Sequence, residues 1–228
     1  MNKDNDIRLL GTEQRNPHSM HISGVGTMEM LEIINEEDKT VAFAVEKQLP
    51  QIAQAVDEIY ARFSTGGRII YCGSGTSGRL GVLDATELKP TYGLSPERAF
   101  GLIAGGEKAM FDAVEGAEDS SEGARQDLRS VNLGPQDALV SIAASGRTPY
   151  GVSALEYARK VGALAVSLTC TRGNPMQAVS DISIAVETGP EVVTGSTRMK
   201  AGTAQKMVLI LTFQQTVDIS TRNRYNRV

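Results

Sequence analysis

From residue 68 onward the chain alternates short, continuously apolar runs with longer stretches whose apolar positions recur every three or four residues. The apolar runs fall at 69–72, 100–104, 138–143, 164–169 and 182–186. Runs of that length, bounded by glycine and polar residues, predict strands covered on both faces. The stretches between them predict helices near 77–88, 107–116, 120–131, 149–161, 176–180 and 198–218. Buried strands separated by helices predict an α/β fold, a parallel sheet flanked by helices on both faces. Folds of this class place their ligands at the carboxyl ends of the strands.

The first third follows a different pattern. Residues 1–26 are irregular and include the polar cluster Thr12-Glu13-Gln14-Arg15-Asn16-Pro17-His18-Ser19, expected to be a solvated arm. Met28, Met30, Leu31, Ile33 and Ile34 then mark a helix, and Asn35-Glu36-Glu37-Asp38 reads as a fresh cap that restarts it. Pro50 suits the first turn of the next helix, whose buried face is Ile52, Val56, Ile59, Tyr60 and Phe63, and Gly66-Gly67 closes it. The expected organisation is an arm with helices packing on the core (1–50), a main domain (51–220) and a polar tail (221–228).

Composition narrows the class. A chain of 228 residues is long enough for one α/β domain with a substantial core. A net charge of −4 argues against a broad nucleic-acid surface. No apolar run is long enough to span a bilayer and the first residues do not form a signal peptide, so a cytoplasmic protein is expected. Cys72 and Cys170 read as reduced core thiols. His18 and His21 stand without a Cys/His cluster, so no metal site is expected.

The candidate chemistry is organised around residues 68–87. There an apolar strand runs into Gly73-Ser74-Gly75-Thr76-Ser77-Gly78 and then into a helix. A glycine-rich turn at a helix N-terminus converges unpaired N–H groups and the positive end of the helix dipole on one spot, which suits an anion. The glycine spacing matches a dinucleotide fingerprint, but the second strand ends in Ala104-Gly105-Gly106, with no carboxylate for a ribose. Hydroxyls at Ser74, Thr76 and Ser77, with Arg79 beside them, suit a terminal monophosphate. The alternative is a tight turn that binds nothing.

A second loop repeats the design: strand 138–143 runs into Ala144-Ser145-Gly146-Arg147-Thr148, and Pro149 opens a helix. Two such loops suggest that both ends of one sugar phosphate are gripped, although Thr148 alone would also serve as a plain cap. A third constellation, Gly189-Pro190-Glu191 through Ser196-Thr197-Arg198-Met199-Lys200-Ala201-Gly202, leads into the longest helix. Ser196 and Thr197 are its expected caps, and Arg198 and Lys200 oppose the helix dipole, a local conflict typical of functional sites. The alternative is a pair of solvated basic residues. Among carboxylates, Glu87 shares a helix face with Leu80 and Leu83, and Glu115 and Glu118 follow the second strand. A carboxylate against apolar groups can act as a general acid. Each could equally be a surface acid.

These motifs together resemble the N-acetylmuramic acid 6-phosphate etherase family. The likeness rests on residues 73–79, 84–87, 143–149 and 189–206, with 12–17 and 34–38 matching its N-terminal part, and covers roughly residues 10–209. The final motif is shared with the related glucokinase regulatory proteins, which are sugar-phosphate sensors. The resemblance implies a sugar-isomerase (SIS) fold, residues 51–220 forming its sugar-phosphate domain, and a homodimer. It implies cleavage of the D-lactyl ether of N-acetylmuramic acid 6-phosphate by elimination and hydration, with no metal or organic cofactor. By motif, Glu87 matches the catalytic acid/base and Glu118 the second glutamate, with Glu115 three residues away as its rival. Ser74, Gly75, Thr76, Ser77, Ser145, Gly146, Thr148 and Ser196 would bind the phosphate and sugar. The runner-up is a sugar-phosphate-binding regulatory homologue without turnover, or a truncated inactive etherase, because the family pattern fades after about residue 209. A third option is another SIS sugar-phosphate enzyme such as an aldose–ketose isomerase.

One distance shapes the expectation. Ten residues of helix separate Ser77 from Glu87, about 15 Å at the helical rise, more than one small sugar phosphate spans. Either the helix breaks early or Glu87 serves a site completed by a second subunit, and the second is preferred.

Overall fold

The computed structural model describes residues 11–225. The start of the arm (1–10) and the last three residues of the expected tail (226–228) lie outside the described residues. The arm forms three short 3-10 turns, at Gly11–Glu13, Pro17–Ser19 and Ile22–Gly24. Helices α1 (Thr27–Glu46) and α2 (Leu49–Phe63) follow. The chain then alternates through β1 (Ile69–Gly73), α3 (Gly75–Tyr92), β2 (Ala99–Ile103), α4 (Lys108–Phe111), α5 (Ser121–Ser130), β3 (Ala138–Ile142), α6 (Pro149–Val161), β4 (Leu164–Thr169), α7 (Pro175–Ala178) and β5 (Ile182–Ala185). It closes with α8 (Lys200–Tyr225).

The strands pair in the order β2-β1-β3-β4-β5, all parallel. Successive side chains of a strand point to opposite faces. Ile69 and Tyr71 therefore join Ile59 and Phe63 of α2, Leu88 of α3 and Val208 of α8 in one core. Ile70 and Cys72 join Leu128 of α5 and Leu155 of α6 in the other. The strand order reverses between β1 and β3, which lie side by side with Gly73 opposite Ile142. Crossovers leave those two strands toward opposite faces, so their carboxyl ends open a crevice, the usual ligand position in such sheets.

Five expected elements change on inspection. Helix α1 runs unbroken through Asn35, because Glu37, Val41, Ala44 and Val45 continue a single buried face. The helix expected over 107–116 is a single turn, α4, in a loop where Gly105, Gly106 and Gly116 all take positive φ. Helix α3 passes Leu88 and holds Pro90 in its last turn before Gly93, at φ 65, ends it. Helix α8 begins at Lys200 rather than Arg198 and continues helically to Tyr225, through the first part of the expected polar tail. The arm is pinned rather than solvated: Asn16 Nδ2 donates to Glu37 Oε2 at 2.7 Å and to the Pro190 carbonyl at 3.1 Å, and Ser19 Oγ donates to the Val192 carbonyl at 2.8 Å.

Lys200 sits at the centre of that clasp. Its ammonium, nearly fully buried, donates to Glu37 Oε2 at 2.6 Å and to the Pro190 carbonyl at 3.2 Å. His18 Nδ1 meets the other oxygen of Glu37 at 2.7 Å. Burial alone would raise the Glu37 carboxyl, but hydrogen bonds from Lys200, His18 and Asn16 outweigh it and hold it down at about 2. Lys200 is thus neither a solvated cation nor a ligand-facing one; it is the buried partner of Glu37. Ser196 and Thr197 do not begin α8 either. The buried carboxylate of Glu191 accepts from the N–H groups of Lys200 and Ala201 at 3.1 and 3.0 Å and caps the helix from nine residues upstream.

Candidate active site

The loop after β1 is built by close approach. A Cβ added to Gly78 would lie 2.5 Å from the Gly73 carbonyl oxygen and 2.8 Å from Ile103 Cγ1, so only glycine lets α3 start this near the strand. Ser74 occupies the N-cap position of α3, yet its side chain caps nothing. The first N–H groups of α3 have no acceptor within the helix, and the hydroxyl that would ordinarily cover them is elsewhere. Ser74 Oγ instead lies 3.4 Å from Glu118 Oε2. Ser74, Gly75, Arg79, Glu115 and Glu118 line one cavity of about 340 Å³. Of the rival glutamates, Glu118 is the one whose carboxylate reaches the loop.

Arg79 plays a different part from the one its position suggested. Its Nε donates to the Met110 carbonyl at 3.0 Å and Nη2 to the Asp112 carbonyl at 3.4 Å. It braces the loop that carries Glu115 and Glu118. Ser77 is buried, and its hydroxyl donates to Gln205 Oε1 on α8 at 3.0 Å.

The loop after β3 repeats the open helix start. Thr148 is the N-cap residue of α6, again without a side-chain cap, and Pro149 at the first helical position has no N–H to cover. The loop is buttressed from below by Asn174, which the sequence reading passed over. Buried Asn174 Nδ2 donates to Thr169 Oγ1 at 3.1 Å and to the Thr171 carbonyl at 2.7 Å, while its Oδ1 caps α7 by accepting from Gln177 N at 3.0 Å. Gly146, at φ +67, lies so close that an added Cβ would be 2.3 Å from Asn174. Thr171 Oγ1 holds the Ser145 carbonyl at 2.9 Å. The Asn174-Pro175 pair, a capping residue before a helix-initiating proline, was the available signal.

Glu87 lies apart from both loops. Helix α3 is continuous from Gly75 to Tyr92, so no early break carries Glu87 toward Ser77. Its side chain is exposed and lines a separate groove of about 250 Å³ with Leu80, Leu83, Asp84, Lys206 and Ile210. The face shared with Leu80 and Leu83 is therefore an open apolar groove and not a closed pocket. Asp84, which lines it, accepts from the OH of the buried Tyr71 at 2.7 Å, and burial raises the Asp84 carboxyl against the lowering effect of that bond. Ser196 lies in the turn before α8, where Arg198 Nε reaches its hydroxyl at 3.4 Å and Glu13 stands beside Gly195. The two cysteines are free, buried thiols, each pushed up to about 12 by burial, and so are poor nucleophiles.

The structure brings Ser74 together with Glu118 and sets the two hydroxyl loops on adjacent strands. It does not bring Glu87 to either loop within one chain. No helix among the described residues is long and apolar enough to cross a membrane.

Comparison with known proteins agrees with this architecture. Residues 51–159 match the glucokinase regulatory protein N-terminal SIS domain, and residues 119–214 match the SIS domain. Among solved structures, phosphoheptose isomerases from Neisseria gonorrhoeae and Francisella tularensis are similar, with TM-scores of 0.62 and 0.60, each at 17% identity. They cover 86% and 83% of this chain and 100% of their own, and at that identity they speak for the fold alone. The sequence is 56% identical to N-acetylmuramic acid 6-phosphate etherase 1 of Enterococcus faecalis over all of this chain and 76% of that protein. It is 57% identical to N-acetylmuramic acid 6-phosphate etherase 1 of Vibrio cholerae over 90% of this chain and 68% of that one. With this fold and these relatives, the chain belongs to the N-acetylmuramic acid 6-phosphate etherase family.

Proposed function

We propose that this protein is a carbon–oxygen lyase that cleaves the D-lactyl ether of N-acetylmuramic acid 6-phosphate, giving N-acetylglucosamine 6-phosphate and D-lactate. The observation that carries the reading is the placement of Glu118 against Ser74, a carboxylate over an uncapped helix N-terminus. The helix start and the hydroxyls of Ser74, Thr76 and Ser77 hold the phosphate, and Ser145, Gly146, Thr148 and Ser196 hold the sugar. In the open-chain sugar a base removes the C2 proton beside the C1 aldehyde. The electron pair forms the C2–C3 double bond as the C3–O bond breaks, and an acid protonates the departing lactate oxygen. Water then adds at C3 and a proton returns to C2. Atoms and charge balance through proton transfers alone, so the scheme calls on no cofactor.

Glu118 and Glu87 are assigned to these transfers, with Glu87 supplied across a homodimer by the second subunit. The exposed apolar surface around it, including Leu83 and Ile210, suits a subunit contact. Residues 51–220 are assigned as the sugar-phosphate domain, with the described part of 1–50 (residues 11–50) packing on it, and the expected setting is the cytoplasm. The second reading, a sugar-phosphate sensor, is favoured by the match of 51–159 to the glucokinase regulatory protein domain. Release of D-lactate from N-acetylmuramic acid 6-phosphate by the 228-residue chain separates the two. Turnover is expected, falling by about a hundredfold or more in Glu118→Gln and in Glu87→Gln. Sugar-phosphate binding without lactate release would favour the sensor. Mixing Glu87→Gln with Ser77→Ala chains should restore part of the activity, and no recovery would sink the shared site.

A further inference from the structure

We propose that Gln205 is a positioning residue that sets the direction of the Ser77 hydroxyl and turns it toward the bound phosphate. The inference deepens the reading above, since it rests on the β1 loop being the phosphate site.

Gln205 lies on α8 and is completely buried. Helix α8 presses on the loop here, for a Cβ added to Gly202 would sit 3.8 Å from Thr76 Cγ2. The Ser77 hydroxyl gives its proton to Gln205 Oε1 at 3.0 Å. The other end of the amide, Nε2, is buried and has no hydrogen-bond partner among the described residues. An orphaned buried donor is costly and uncommon in a packed core. Placed one bond from a candidate phosphate ligand, it calls for a functional account.

A serine hydroxyl has one proton to donate and lone pairs to accept with. While that proton goes to Oε1, Ser77 can offer an anion only lone pairs. A half-turn of the amide brings Nε2 to where Oε1 was. Nε2 then donates to Ser77 Oγ, and the hydroxyl proton is released to point at a phosphate oxygen. One rotation pairs the orphaned donor, leaves Oε1 in the position Nε2 vacated, and converts Ser77 from a donor to the protein into a donor to the ligand, whose charge supplies the gain. The two hydrogen bonds then run head to tail, an arrangement in which each polarises the other. Only a side chain with both a donor and an acceptor on the same carbon can do this, which selects glutamine over an ionised glutamate or an apolar residue of equal size.

The test is a double-mutant cycle read by calorimetric titration with N-acetylglucosamine 6-phosphate, alongside kcat and KM for N-acetylmuramic acid 6-phosphate. Gln205→Glu in its ionised form accepts without donating and locks the Ser77 proton onto the protein, and since burial raises a carboxyl the titration is read at the alkaline end of the stable pH range. Its affinity should fall about tenfold, one hydrogen bond's worth, with the loss in KM and kcat within about twofold. Gln205→Met keeps the volume, guards against a folding defect, and should weaken binding by about two- to threefold. In a Ser77→Ala background, Gln205→Glu should cost nothing further. A Gln205→Glu loss that persists in full beside Ser77→Ala would reflect charge repulsion and overturn the proposal, as would wild-type affinity in both Gln205 variants. If Ser77→Ala itself binds as wild type, the phosphate assignment of the loop fails instead.

Discussion

The helices that carry a serine, threonine or asparagine at the N-cap position fall into two kinds. Helix α5 is closed by its own N-cap, with Ser120 Oγ accepting from Gly123 N at 3.0 Å, and α7 is closed by Asn174 in the same way. Helices α3 and α6 carry Ser74 and Thr148 at the same position, residue types that normally cap, yet neither hydroxyl does so. The capping residue type is kept while the capping bond is given up, which leaves the first N–H groups of both helices without a side-chain acceptor. Helix α8 is a third case, since both its cap and the counter-charge of its first residue come from other segments, Glu191 and Glu37. Helices α1 and α2 also start without a side-chain cap, at Gly26 and Gln48, so what sets α3 and α6 apart is a capping residue type that does not cap.

Five substitutions rank these cases by their effect on stability. Glu37→Ala strands the Lys200 ammonium in the interior and should cost about 3–5 kcal/mol in thermal or urea unfolding. The same clasp makes a pH signature. Because the folded Glu37 carboxyl titrates at about 2, below its ordinary 4.5, its contribution is complete above 4.5 and fades as pH falls toward 2. Glu37→Gln should flatten that part of the stability profile. Next, Glu191→Ala leaves two N–H groups of α8 without acceptors and should cost about 2–3 kcal/mol. Ser120→Ala removes an ordinary cap, for about 1 kcal/mol in stability with KM unchanged. Smallest in stability are Ser74→Ala and Thr148→Ala, within about 0.5 kcal/mol because no capping bond is lost. In those two variants sugar-phosphate affinity should drop severalfold. If they instead unfold as readily as Ser120→Ala, the distinction between closed and open starts is wrong.

What could be seen in advance follows the range of the interactions involved. All five strands were legible because their runs are mainly apolar with only a few small or hydroxyl residues among them, a purely local signal. The same holds for the loop of residues 73–78, whose glycines answer a contact only five residues away. The break expected at Asn35 was an honest local signal defeated by a distant partner: Glu37 belongs to the buried face because Lys200 waits 163 residues later. Arg198 and Lys200 looked alike, yet one is exposed and the other is buried in an ion pair. That Glu118 and not Glu115 meets Ser74 depends on the loop shaped by Gly105, Gly106 and Gly116 and braced by Arg79, neither of which leaves a periodic trace. The remoteness of Glu87 could be read from helical rise alone, and the unbroken α3 agrees.

The clasp between the arm and the head of α8 also bears on how the chain acquires its structure. Asn16 reaches Pro190 across 174 positions and Ser19 reaches Val192 across 173. Contacts of such separation close slowly, because a long loop must be ordered before they return anything. On a ribosome the N-terminal segment would be made first and docked last, waiting for nearly the whole sheet. Pulsed hydrogen exchange during refolding should therefore show the amides of β1, β3 and β4 protected before those of α1, and simultaneous protection would argue against this order.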